Sequence, residues 1–215
     1  MHERSPGVLI RPARPRDATA FLEAYRQVAA ERRFIQTEVV VRSARSYRRR
    51  FRSSYDGDGA HLLALEGDRL VGSLSIRRDD HPATRHVATL GMFAVADRRG
   101  RGVGTALMRE AMRWAGDQGV ERVELTVYPH NDAAMALYRR FGFEQEGRLV
   151  RHAKKSYGYE DEILMAVWIG PPVEAAPGSA RASGSPPVET GGPGGSRSER
   201  ARASGSPPVE TEERA

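Results

Sequence analysis

Val95-Ala-Asp-Arg-Arg-Gly-Arg-Gly-Val-Gly-Thr105 carries three alternate glycines into the start of a helix-forming run. Glycine lets a backbone come close to a ligand, and the free N–H groups of a helix start, backed by its dipole, attract an anion. The stretch reads as a seat for a phosphate. A Walker loop, G-x-x-x-x-G-K-[ST], needs a lysine and none is nearby, so a nucleoside-triphosphate P-loop is excluded. A dinucleotide fingerprint is met only in part: Gly100 and Gly102 give G-x-G, but Thr105 holds the third position. Glu124 follows at about the right spacing, yet it lies within a strand, whereas a ribose-binding acid belongs at a strand end.

Outward from the loop, periodicity alternates between helix and strand. Upstream, residues 86–95 read as a strand; residues 61–66 and 70–77 form a hairpin turned at Gly67-Asp68-Arg69. Residues 8–11 make a short strand, and Asp17 caps a helix with Phe21, Leu22, Tyr25 and Val28 on one stripe. A second helix is expected over residues 43–55, with Tyr47, Phe51 and Tyr55 on the buried stripe and six arginines around them. Downstream come a long helix over residues 103–118, a strand over 122–128, a short helix over 131–141 and two closing strands over 143–149 and 159–169. The class is mixed α/β around one central sheet.

The chain has 215 residues and no Cys, which removes disulfides, thiolate metal sites and a cysteinyl intermediate and suits a reducing compartment. No apolar run is long enough to span a membrane, and charges interrupt the first thirty residues where a signal peptide would be apolar, so a cytoplasmic location is expected. The six His show no ligand spacing, and no metal is expected. A net charge of +6 favours anionic partners without choosing among them. Residues 1–170 form the expected domain. Residues 171–215 hold eight Pro and seven Gly, with an eleven-residue stretch at 180–190 repeated at 201–211, and are expected to be a disordered tail.

Arg99-Gly100-Arg101-Gly102-Val103-Gly104 resembles the Q/R-x-x-G-x-G/A signature of the GNAT superfamily of acyl-CoA-dependent N-acyltransferases. Asn131-Asp-Ala-Ala-Met-Ala-Leu-Tyr138-Arg-Arg-Phe-Gly-Phe143 is similar to a second element of that family at the correct separation. The resemblance spans about residues 8–169. It implies a mixed, mostly antiparallel sheet of about seven strands with helices on both faces, and acetyl-CoA as cosubstrate. In such proteins the backbone of Arg99, Gly100, Arg101, Gly102, Val103, Gly104 and Thr105 holds the pyrophosphate, and main-chain groups near Phe93 and Val95 hold the pantetheine arm. Tyr138 would protonate the departing thiolate, and Asn131 would cap its helix or touch the coenzyme arm.

The base that frees the acceptor amine is not settled by this resemblance. Many relatives place a Glu before the glycine loop, but that strand offers only His86 and Thr89. Asp161 and Glu38 are the other candidates, and a water relay is an alternative. The expected reaction is direct transfer of an acetyl group to a primary amine of a peptide N-terminus or amino acid, with a polyamine or drug amine as the alternative acceptor. Outside that class stand an acyl-CoA-sensing module without turnover and a nucleic-acid binder using Arg42 to Arg52. The resemblance also implies a homodimer as a common assembly.

Overall fold

A computed structural model of the chain describes residues 7–171; the expected tail and its duplication lie outside them. The sheet is built outward from the central hairpin. Strands β2 (Gly59–Glu66) and β3 (Arg69–Arg78) are apolar at nearly every inner position, and Gly67 makes their turn at a φ of 57°. Strand β1 (Leu9–Pro12) pairs with β2, and β4 (Val87–Ala94) with β3. Beyond β4 lie β5 (Arg122–Val127), β7 (Gly158–Trp168) and β6 (Glu144–Lys155), giving the order β1-β2-β3-β4-β5-β7-β6. Every neighbouring pair is antiparallel except β4 with β5. The expected sheet of about seven mostly antiparallel strands is present.

Helices α1 (Ala18–Ala30) and α2 (Ala44–Arg50) cover one face, and α3 (Val103–Asp117) and α4 (Asp132–Arg140) the other. On the first face Phe21 gathers Tyr47, Phe51, His61 and Phe93, with ring centroids 4.7 to 5.8 Å away. Each such pair adds about 0.5–1.5 kcal/mol beyond its buried area. On the second face Gly72 lets α3 lie close: a Cβ there would stand 2.8 Å from Val103 Cγ1 and 3.1 Å from Phe93 O. Trp114 of α3 is fully buried, and its indole N–H donates to Asp56 O at 3.0 Å.

The helix expected over residues 43–55 is shorter. It ends at Arg50, a 3-10 turn follows over Phe51–Ser53, and Tyr55 is 38% exposed, bridged to Ala60. The cause is local: Asp56 Oδ1 accepts from the N–H of Asp58 and of Gly59, both at 3.0 Å, so this aspartate turns the chain into β2. The arginines around α2 form a solvated face.

Candidate active site

The geometry starts where β4 and β5 part. Their parallel register runs Val87 with Arg122, Ala88 with Val123 and Thr89 with Glu124, and stops there. β4 continues to Ala94 on β3 while β5 continues to Val127 on β7, leaving a wedge between them. Val95 N–H donates to Val71 O at 3.0 Å, and Arg122 N–H to His86 O at 3.1 Å. Strand hydrogen bonding alternates every residue. Odd-numbered residues of β4 therefore bond to β3, and Met92 and Ala94, not Phe93 and Val95, turn their main-chain groups to the wedge. This moves the expected pantetheine contacts by one residue.

At the wedge's end lies the glycine loop. Gly100 and Gly102 have φ of 71° and 85°, with nothing within 4 Å of where a Cβ would project. Gly102 is the N-cap of α3 without a side-chain cap, and the first intrahelical bond is Ala106 N–H to Gly102 O at 2.9 Å. The N–H groups of Val103, Gly104 and Thr105 thus point out of the helix end. Gly104 serves another purpose: a Cβ there would meet Leu137 Cδ2 at 2.8 Å and Met92 Cε at 3.2 Å, so it makes room for α4 and β4. Val103's side chain is core, 1% exposed, and Arg101 is exposed beside the loop.

Arg99 is a staple. Its Nε donates to Ala94 O at 3.0 Å, both terminal nitrogens reach Glu31 at 2.6 Å, and the guanidinium lies 4.4 Å from the Phe34 ring centroid. These bonds tie the loop to the end of α1. Tyr138 is 6% exposed, its ring 5.9 Å from Phe143, and burial raises its phenol above the usual value. Asn131 caps α4 through Oδ1, which accepts from Ala134 N–H at 3.3 Å.

The expected bases are engaged elsewhere. Asp161 accepts from Arg151 N–H at 2.6 Å and Arg148 Nε at 2.8 Å, which hold its carboxyl below the ordinary range. Glu38 accepts from Ser156 N–H at 2.8 Å and its hydroxyl at 2.9 Å, with the same consequence. Both are weakened as proton acceptors. His86 precedes β4 at the end remote from the loop, about 26 Å away by strand rise over eight residues, and Thr89 is the last paired residue.

Sequence reasoning overlooked the neighbour of Asp161. Glu162 is 2% exposed; Gln36 Nε2 donates to its Oε1 at 2.8 Å, and His152 Nδ1 lies 2.9 Å from its Oε2. Alternation could not single it out, because β7 is covered on both faces. Nearby, Lys155 donates to the carbonyls of Ile35 and Gln36 at 2.7 and 3.0 Å and lies 5.1 Å over the Tyr128 ring. A shallow hollow of about 240 Å³ beside α1, lined by Arg26, Ala29, Ala30, Glu38, Val39 and Val40, includes none of the glycine-loop residues. Among the described residues no group of His, Asp and Glu is arranged to hold a metal, and no helix is long and apolar enough to cross a membrane.

Comparison with known proteins agrees with this geometry. The acetyltransferase (GNAT) family matches residues 20–143. The L-amino acid N-acetyltransferase AaaT of Escherichia coli is 36% identical over 49% of this chain and 65% of its own length. N-alpha-acetyltransferase 30 of Schizosaccharomyces pombe is 31% identical over 42% and 61%. The matched region therefore spans less than two thirds of either relative. A GNAT-family acetyltransferase from Streptococcus pneumoniae superposes with a TM-score of 0.71 at 28% identity, covering 76% of this chain and 99% of that one.

Proposed function

The chain belongs to the GNAT acetyltransferase family, and from that premise we propose that it moves an acetyl group from acetyl-CoA to a primary amine of an amino acid or peptide N-terminus. One observation carries the reading: the wedge between β4 and β5 ends at an uncapped helix start whose two left-handed glycines leave open space. The donor set fits a pyrophosphate, with outward N–H groups at Val103, Gly104 and Thr105 and the cation of Arg101 beside them. Main-chain groups of Met92 and Ala94 fit the amides of an extended arm. The names of the two relatives support an amino-acid or peptide acceptor. A cysteine-free chain suits work in the cytoplasm.

Bound acetyl-CoA supplies a thioester carbonyl and a thiolate leaving group. The loop would hold the phosphates, Arg99 fixes the loop to α1, and Tyr138 on α4 keeps a proton on its hydroxyl to give to the leaving group. That proton passes to the departing sulfur as the amine attacks.

Thermal unfolding with acetyl-CoA, ATP and NAD at matched concentration and salt tests the cofactor. At about 100 times Kd the linkage stabilisation is about 2.7 kcal/mol, a Tm rise of roughly 5–10 °C. A rise with acetyl-CoA alone, followed by thiol release on adding L-alanine or an alanine-headed peptide, is expected. A rise with NAD instead would sink the reading.

A further inference from the structure

We propose that Glu162 receives the acceptor's ammonium and takes its proton, with Gln36 and His152 as positioning residues. This rests on the acetyl-transfer reading and assigns the base within it. Val127 of β5 pairs with Ile163, so Glu162 stands opposite Tyr128, the first residue beyond β5, where β4 has already turned away. Strand alternation puts both on the sheet face that carries α1, the face of Thr89 and Glu124.

The fold also holds this carboxylate by specific partners. A buried carboxylate is costly unless its oxygens are bonded. Here the loop after α1 supplies Gln36 and β6 supplies His152, and each oxygen keeps a lone-pair direction for a ligand. His152 reaches Glu162 only because β6 bulges. Leu149 pairs with Glu162 and Ala153 with Glu160, so three residues of β6 face Asp161 alone, and Arg151 takes a φ of 54°. The bonds from Arg151 and Arg148 make Asp161 the clasp of that bulge.

Unmet polar atoms lie beside this carboxylate. Tyr128 is 3% exposed with its hydroxyl unpartnered, and Oε2 of Glu160, two residues before Glu162 on the same face, is buried and unpartnered. An amine bearing several N–H groups satisfies such acceptors, and carboxylates at 160 and 162 favour its cationic form. Lys155 opposes a second cation, but its ammonium is taken up by two carbonyls, and Glu38 lies toward the same hairpin turn. The proton has an outlet, since the His152 side chain is 31% exposed.

In the proposed step one ammonium N–H bond breaks and an O–H bond forms on Glu162. The freed lone pair forms the C–N bond as the C–S bond breaks, and the sulfur takes a proton from Tyr138. The nitrogen's second lost proton balances the one Tyr138 gives up, and water removes the proton from Glu162.

Glu162→Gln is assayed with acetyl-CoA and L-alanine, L-alaninamide and an alanine-headed tetrapeptide across pH 6 to 9.5. We expect kcat to fall at least 100-fold with KM for acetyl-CoA and the acetyl-CoA-induced Tm rise unchanged. The residual rate should climb tenfold per pH unit until the acceptor amine's own pKa and level off above it, and the deficit should be smaller for the less basic amine of L-alaninamide. A variant with wild-type kcat and pH profile overturns the proposal while leaving acetyl transfer intact. If Glu162→Gln does not fold, His152→Gln serves, its ring being part-exposed: a roughly tenfold loss of kcat with a more alkaline profile supports the pair, and an unchanged profile overturns it. A wild-type protein that binds acetyl-CoA but acetylates none of these amines overturns the acetyl-transfer reading itself, and this assignment falls with it.

Discussion

Burial does two opposed things to the Tyr138 phenol. It raises the pKa by penalising the phenolate, which guarantees a proton on the oxygen at any physiological pH and also makes that proton harder to give up. The first effect is needed for a general acid; the second limits how much it can contribute. Replacing Tyr138 by Phe removes only the hydroxyl from a site already packed against Phe143. That change should lower kcat by about 10²–10⁴ with acetyl-CoA affinity preserved. The same rate profile in wild type should show no alkaline fall from this residue below pH 10. Steady-state kinetics of the variant with unchanged kcat would end its role as acid. As an expectation, the acid role of Tyr138 was legible only through the family resemblance, since periodicity alone marks the residue as a core aromatic. The shift from Phe93 and Val95 to Met92 and Ala94 was not: which residues of β4 face the wedge depends on hydrogen bonds to β3, and those leave no mark on side-chain identity.

At the scale of elements, the anion seat depends on how closely α3 approaches the sheet, and Gly72 sets that distance. A methyl group at Gly72 would strike Val103 Cγ1 and the fixed carbonyl of Phe93, so Gly72→Ala must push the first turn of α3 outward. Overpacking of this kind costs about 1–3 kcal/mol. Urea unfolding should show that loss, and acetyl-CoA affinity should fall with it because the displaced turn carries the N–H groups of the seat. Normal stability and normal affinity together would show that α3 has room the static distances hide. The glycine loop itself was readable, since positive φ at Gly100 and Gly102 demands the residue that stands there. The bulge in β6 was hidden. Nothing in Val150-Arg-His152 marks two inserted residues, and an arginine such as Arg151 rarely occupies a left-handed position. Without the bulge, nothing in the sequence shows that Arg151 and Arg148 engage Asp161 or that His152 reaches the buried Glu162.

For the molecule as a whole, the alternation of helix and strand was enough for the class, and the family resemblance supplied the number of strands and their mostly antiparallel sense, while the strand order was not legible because pairing partners far apart in sequence are not visible in local periodicity. The same global packing puts His61 where no isolated strand would. It lies between Phe21 and Phe51 with Nε2 3.0 Å from Ser73 Oγ and Nδ1 unpartnered, so desolvation, with Arg50 adding repulsion, pushes its pKa down to about 3. Unfolded, the same ring titrates near ~6.5. Above that pH both states leave it neutral and it contributes no pH dependence. Below it the unfolded chain binds a proton that the folded protein refuses, so stability falls by about 1.4 kcal/mol per pH unit as pH drops from 6.5 toward 3. Lowered carboxylates such as Asp17, held by Arg11, push in the same direction, but only below the ordinary carboxylate range near ~4. Between pH 6.5 and 4.5 the slope therefore belongs largely to His61. Urea unfolding of His61→Gln, whose amide can still bond Ser73, should be nearly flat in that window while wild type loses about 2–3 kcal/mol across it. Equal slopes in the two proteins would mean that the folded state opens to admit the proton, and that the aromatic cluster under α1 is looser than its ring contacts imply.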